Sequence, residues 1–464
     1  MRQWITLVAP VALWSTLAAA QEPPAPPAMS LRDVVTYALE HAPELKASQA
    51  EVRRREGGVT SVRAGLWPQF DLAADAARTH LEHGFPMGAT PSMLRFDTEL
   101  FTGGADAKWL AWDFHRTGLE LDAARERVAS ASAGVDRRRQ ELVFDTARLY
   151  LQTLAYTDLI EAGDARVTSL RSLLDRTNQL VAAGRGVPVD ALKIQTRLAE
   201  VESSLATLRA GRRSSLSALA AVMGFEGDLP TLTYSAAAQE LPPPPPAAER
   251  DALRDAMASR PELASQEHEI RAAEQTEAAI AKSAWPRIDL RASVIEYGSD
   301  GPLGFPQLIS RMLPGFPSTA PPASSTATDW TVGVHVSMSL FDGGRRKGQA
   351  QAAVAQVEQA RLGRQQLALR VAREVRTAQA DLDSAKSRVI ALRDSVAEGG
   401  RVLHDERLKY EAGRSVINFV LDAESALLTS QSLLSQAERS VSTATLALDL
   451  AMGRIDVGRL PDSR

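Results

Sequence analysis

His80 and His83, which flank two residues, have a spacing that could hold a metal ion, but no third ligand lies nearby, so they read as solvated loop residues. Gly343-Gly344-Arg345-Arg346-Lys347-Gly348 is glycine-rich and basic, as a phosphate cradle would be. It lacks the Gly-Lys-Ser/Thr ending that holds phosphate and Mg²⁺, and reads instead as an interfacial strand-to-helix turn with anchoring bases. There is no cysteine, which excludes disulfides, thiolate metal sites, cysteine nucleophiles and a lipid-modified N-terminal Cys. Neither a G-x-S-x-G nor an H-E-x-x-H motif occurs, and no carboxylate pair sits in a pocket-like context. With nothing assembling into a catalytic constellation, the reading is a non-enzyme with no metal and no cofactor.

The 464 residues carry 53 Lys+Arg against 57 Asp+Glu, with no long block of either sign, which excludes a basic nucleic-acid binder. Aromatics make up only 5%, while Ala, Leu, Val, Gln, Arg and Glu dominate, pointing to long helices with small-residue packing. At the N-terminus, Arg2, an apolar stretch from Trp4 to Leu17 and Ala18-Ala19-Ala20 form the three parts of a signal peptide, residues 1–20, cut before Gln21. No later segment offers 18 consecutive apolar residues, so any membrane span must be β.

The chain repeats itself. Leu31-Arg32-Asp33 recurs as Leu253-Arg254-Asp255, Pro43-Glu44-Leu45 as Pro261-Glu262-Leu263 and Trp67-Pro68 as Trp285-Pro286. Later, Ala183-Gly184-Arg185 recurs as Ala412-Gly413-Arg414 and Met223-Gly224 as Met452-Gly453. Residues 21–241 form the first copy and 249–456 the second, joined by a proline-rich linker at 242–248 and followed by a tail at 457–464. Each copy reads helix, strand, long loop, strand, very long helix, tight turn, helix. Phe114 is paired with Phe341, which puts the first strand-to-helix turn at Phe114 to Gly118.

The strands are expected at about 69–78, 107–115, 287–297 and 329–341. In the last of them Trp330, Val332, Val334, Val336, Met338 and Leu340 alternate with polar or small residues, a strict period of two. The intervening segments, about 79–106 and 298–328, read as irregular outer loops. Heptads run through the helices. Val375, Leu382, Val389, Val396, Leu403 and Tyr410 are followed after the turn by Val420, Leu427, Leu434, Val441 and Leu448. The first copy shows Ile160, Val167, Leu174 and Val181, then Ile194, Val201, Leu208 and Val222.

The long helices, about 115–183 and 342–412, would each reach on the order of 105 Å. The shorter ones, about 31–66 and 187–224, can stack end to end beside a long one. Four strands cannot close a barrel, because open edges are not tolerated in lipid and the smallest outer-membrane barrels use about eight. Several copies are therefore required. A dimer would have a filled interior and a trimer a pore. A pore continued by a hollow helical cylinder is a duct.

These residues resemble the TolC-like outer-membrane efflux proteins, which also carry two tandem copies of this plan. The resemblance rests on Arg260-Pro261-Glu262-Leu263, on Trp67-Pro68 and Trp285-Pro286, on Leu340-Phe341-Asp342-Gly343-Gly344-Arg345, and on Tyr410-Glu411-Ala412-Gly413-Arg414-Ser415 leading to Val420-Leu421-Asp422-Ala423-Glu424. It covers nearly all of the mature chain. It implies a mainly α protein with membrane β: coiled-coil hairpins forming a periplasmic α-barrel, and four strands per protomer closing a 12-stranded β-barrel in a homotrimer. It also implies an outer-membrane location in contact with lipid, with a large periplasmic portion. The implied partners are a periplasmic adaptor and an inner-membrane transporter, of the RND class first, with ABC or MFS as alternatives.

The resemblance further implies a gate at the periplasmic tip. A Tyr that bonds an Asp to hold the aperture shut corresponds to Tyr410 and Asp190. Of two constricting acids, one corresponds to Asp422, while the other falls at Phe419, preceded by Asn418. A lock arginine falls at Ser415, beside Arg414. Adaptor docking would involve Gly184, Arg185, Gly186, Val187, Gly413 and Ser415. Three copies of Asp422 near one axis would repel one another, concentrate cations and raise each other's pKa. Read without the resemblance, Asp422 is equally a solvated helix-face acid, Asp190 a first-turn acid favoured by the helix dipole, and Tyr410 a seam residue. The expected function is a passive exit duct of a tripartite efflux or type I secretion system. Its rival is a periplasmic coiled-coil scaffold without a pore. Cargo is not legible, and the seven His and nine Met do not cluster.

Overall fold

A computed structural model of the chain describes residues 29–87, 90–184, 186–225, 249–300 and 324–460. The signal peptide, the proline-rich linker, the end of the tail and Arg185 lie outside these residues. Ser30 starts the first helix with a capping box: its hydroxyl oxygen accepts from the Asp33 N–H at 3.3 Å, and Asp33 Oδ2 accepts from the Ser30 N–H at 3.0 Å. The Ser30 hydroxyl, donating to Asp33 Oδ2 at 2.6 Å, and then the Ser30 N–H hold the Asp33 carboxyl below its ordinary value.

Instead of one helix over 31–66 there are two, α1 (Leu31–His41) and α2 (Pro43–Ala64). The cause is the proline. It forces the residue before it into extended geometry, and Ala42 has ψ 123°. The second copy breaks identically between α5 (Glu249–Ser259) and α6 (Pro261–Lys282), with Arg260 at ψ 120°. The repeated Pro-Glu-Leu is thus a helix restart. The long helices α3 (Arg116–Ala182) and α7 (Arg345–Glu411) each have 67 residues, on the order of 100 Å. They are followed by α4 (Pro188–Met223) and α8 (Ile417–Ala451). Every heptad residue named above is buried or half-buried, so the seams pack as their spacing requires. A short 3₁₀ turn, Val457–Arg459, follows.

The four strands form one antiparallel sheet in chain order: β1 (Gln69–Met87), β2 (Thr90–Trp112), β3 (Arg287–Asp300) and β4 (Ser324–Ser337). The segment expected as a loop over 79–106 is instead a continuous hairpin, paired from Gln69↔Lys108 out to Met87↔Thr90. His80 and His83 therefore belong to β1 and not to a loop. Gly103, Gly104, Pro86 and Pro91 gave that stretch its loop-like look, yet all four take part in the ladder. In the second copy β3 extends to Asp300 and β4 starts at Ser324, while 301–323 lies outside the described residues. β2 ends at Trp112 and β4 at Ser337, short of the expected 115 and 341.

Register sorts the side chains into two faces. Leu72↔Ala105, Ala105↔Val294 and Val294↔Trp330 form one row, and Ala107↔Ala292 and Ala292↔Val332 the next. Leu290↔Val334 and Ile288↔Val336 continue it. On the other face stand Asp71↔Asp106, Lys108↔Arg291, Asp289↔His335 and Ser293↔Thr331. The apolar face is exposed, with Leu72 at 88% and Trp330 at 75%. Among the described residues, β1 and β4 each pair on one side only.

The strand-to-helix turns correct the pairing of the two copies. Asp113 Oδ2 accepts from the Thr117 N–H at 2.8 Å, and Asp342 Oδ2 from the Arg346 N–H at 3.2 Å. The equivalent residues are therefore Asp113 and Asp342, and Phe114 corresponds to Gly343, not to Phe341. Gly343 and Gly344 have φ 65° and 93°, a region open to glycine, and the first copy imposes φ 57° and 69° on Phe114 and His115. Gly118 makes this feasible, because a Cβ there would lie 2.4 Å from the His115 ring. Phe114 in turn packs on Trp285, ring centroids 4.9 Å apart.

The chain divides into two compact units. Residues 1–45, 139–253 and 375–464 make one, and 46–138 and 254–374 the other. The sheet lies in the second. Both interhelical turns, at 183–187 and 412–416, lie in the first.

Candidate gate at the paired helix turns

Each turn follows from its glycine. Gly184 (φ 70°) and Gly413 (φ 68°) adopt the left-handed conformation that ends a helix. Gly413 N–H donates to the Tyr410 carbonyl at 3.0 Å and Arg414 N–H to that of Lys409 at 2.8 Å, satisfying carbonyls at the end of α7. Gly186 lets the chain return tightly, since a Cβ there would sit 2.8 Å from the Val181 nitrogen. Val187 and Val416 occupy the N-caps of α4 and α8 without a capping side chain, and Pro188 begins α4 where its missing N–H costs nothing.

Behind the turns lies a core of Leu170, Ile194, Leu403, Ile417, Val420 and Ala423. Tyr410 packs against this core, half-buried. Asp190 is also half-buried, in the first turn of α4, with Lys193 Nζ 4.0 Å away. Among the described residues no hydrogen bond joins Tyr410 to Asp190. Tyr410 instead borders a cavity of about 510 Å³ shared with Ser169, Arg176, Arg407, Glu411 and Val420, where Arg176 and Glu411 form an ion pair at 2.6 Å.

Asn418, Phe419 and Asp422 share one exposed face of α8, as spacings of three and four require, and Phe419 is 59% exposed. Arg414 is exposed. Ser415, at the position of a lock arginine, is used within its own turn: its hydroxyl donates to Glu406 Oε2 at 3.0 Å, and Lys409 Nζ lies 2.6 Å from Glu406 Oε1. Lys409 first, and then Ser415, hold the Glu406 carboxyl below its ordinary value, and Glu406 correspondingly raises Lys409. Val187, expected to meet an adaptor, and Val416, which was not, are exposed, at 57% and 56%, which leaves an apolar rim on each turn.

Sequence reasoning missed Glu424, Arg166, Arg197 and Arg407, which gather behind α8. Glu424 follows Val420 by four and precedes Leu427 by three, so a charge at a seam position was the available sign.

Comparison with known proteins supplies the family. The chain is 26% identical over 439 residues to the outer membrane efflux protein BepC of Brucella suis biovar 1, covering 93% of this chain and 87% of BepC. It is 26% identical over 352 residues to the alkaline protease secretion protein AprF of Pseudomonas aeruginosa, covering 72% of this chain and 66% of AprF. Its fold is similar to that of the Campylobacter jejuni CmeC outer membrane channel, with a TM-score of 0.72 at 14% identity over 94% of this chain and 87% of CmeC. The profile of the outer membrane efflux protein family matches residues 34–225 and 252–454, the two repeat copies in turn, and the chain therefore belongs to that family of outer-membrane channels.

Proposed function

We propose that this chain is one of three identical subunits of a passive exit duct through the outer membrane. The observation that carries the reading is the sheet: among the described residues, four strands with two free edges, an exposed apolar face and a polar face opposite. An apolar face of that kind suits lipid, and free edges in lipid must be paired, here by other copies. It also speaks against a soluble scaffold, which would have to cover Trp330, Val332, Val334 and Val336. Three copies supply twelve strands, wide enough for an aqueous lumen. The polar face, with Asp71, Asp106, Lys108 and Arg291, then lines the conduit.

The duct performs no chemistry. An inner-membrane transporter, of the RND class first and ABC or MFS otherwise, supplies the energy, and a periplasmic adaptor docks on the turns at Gly184–Val187 and Gly413–Ser415. Exposed Val187 and Val416 offer that adaptor an apolar contact. At the aperture, Asp422 and Phe419 face the axis and make a ring that is acidic on one turn and aromatic on the next, while Tyr410 and Asp190 lock it. The double variant Tyr410→Phe with Asp190→Ala should raise single-channel conductance in planar bilayers. Conductance equal to that of the native protein would remove the lock from the account.

A further inference from the structure

Four helices meet around the buried residue Glu424. Glu424 of α8 is 6% exposed, two residues beyond Asp422. Arg166 of α3, 5% exposed, donates from Nη1 to the Glu424 carbonyl oxygen at 2.9 Å. Arg407 of α7 donates to Ser169 Oγ on α3 at 3.1 Å and stands 3.8 Å from the Glu424 carboxylate. Arg197 of α4 donates to Ser425 Oγ on α8 and pairs with Glu200 at 2.7 Å. Three guanidiniums and two carboxylates thus gather around one backbone carbonyl and one hydroxyl of α8, an arrangement that ties both helical hairpins to the aperture end of α8.

The cluster is incompletely satisfied. Among the described residues, Arg166 Nε and Nη2, Arg197 Nε and Glu424 Oε2 are closed off from solvent and have no hydrogen-bond partner. Nε and Nη2 form the side edge of a guanidinium, the edge that matches a carboxylate, and leaving it unpaired is costly. Beside the cluster lies a cavity of about 330 Å³ lined by Arg166, Arg197, Leu205, Leu428 and Ser432 among others, which gives these side chains room to re-pair. Burial lowers the pKa of Arg166, and Glu424 opposes that effect. A saturated ionic cluster would hold α8 rigidly. One with unspent donors and an unspent acceptor holds it and still releases it.

We propose that Glu424, Arg166 and Arg197 are positioning residues of the gate: they seat the first turns of α8, with Asn418, Phe419 and Asp422, in the closed arrangement. This rests on the duct and gate reading above. The chain has no cysteine, so one introduced at exposed Ala412 and spin-labelled reports the separation of the turns between copies in lipid nanodiscs. The native protein is expected to show one short, narrow distance. Arg166→Met should shift about tenfold more of the population to longer distances, the effect of losing one charge-assisted bond, and Glu424→Gln, which removes the charge that Arg407 faces at 3.8 Å, should shift it the same way by less. Arg166→Lys, which keeps a donor, should restore the short distance in part. Ser425→Ala removes only the acceptor of Arg197 and should widen the distribution less, which serves if the charge variants fail to assemble.

The proposal is overturned if Arg166→Met, Glu424→Gln and Ser425→Ala all keep the native distance while Tyr410→Phe with Asp190→Ala widens it. If that double variant also leaves the distance unchanged, or no distance between copies is found, the gate reading itself falls and takes the proposal with it.

Discussion

Glu406 shows how one carboxylate orders the second turn. It holds Ser415 and Lys409 from one side, and both lower its pKa. A carboxyl whose pKa is depressed on folding contributes fully above its ordinary value of 4.5, and that contribution is lost as pH falls through the depressed value. Glu406→Gln should therefore speed amide hydrogen exchange over residues 408–416 about threefold at neutral pH. After correction for intrinsic rates, native and variant should converge in acid. Equal protection at neutral pH would show that the turn is held by Gly413 alone. The candidate gate residues were legible only as types at family positions. The placement of Asn418, Phe419 and Asp422 on one exposed face of α8 follows from helical spacing, but the Glu406–Ser415 bond spans nine residues across a turn and no periodicity announces it.

Strands and helices differed in how openly they were written. Strict alternation from Trp330 to Val336 made β4 plain, whereas Gly103, Gly104, Pro86 and Pro91 hid a hairpin of 19- and 23-residue strands. Pairing with a neighbour overrode local propensity there. The exposed apolar face makes a direct prediction: Val334→Arg should cost about 2–4 kcal/mol if that face meets lipid at mid-depth, read as a lower midpoint for heat dissociation in bilayers. No change would place Val334 away from lipid. The strand-to-helix turns make another. His115 holds φ 69° where the second copy has Gly344, so His115→Gly should raise stability by about 1 kcal/mol, measured as a higher melting temperature. A loss would mean that the His115 ring over Gly118 contributes more than its backbone costs.

At the level of the molecule, internal repetition was the most legible feature, because paired prolines, tryptophans and glycines recur at matching places in both copies. Asp113 and Asp342 now fix the middle of that alignment through shared hydrogen bonds, which residue identity at Phe114 and Phe341 had misdirected. A sequence shows how many strands one chain owns but not how many chains share a barrel. Four strands whose outer edges are free among the described residues demand partners, and the number of partners decides between a filled barrel and a conduit. The most direct test is to count copies by native mass spectrometry of the protein extracted from outer membranes into lipid nanodiscs. The account predicts particles of three copies, released only by detergent. Monomers or dimers, or release into buffer without detergent, would contradict it.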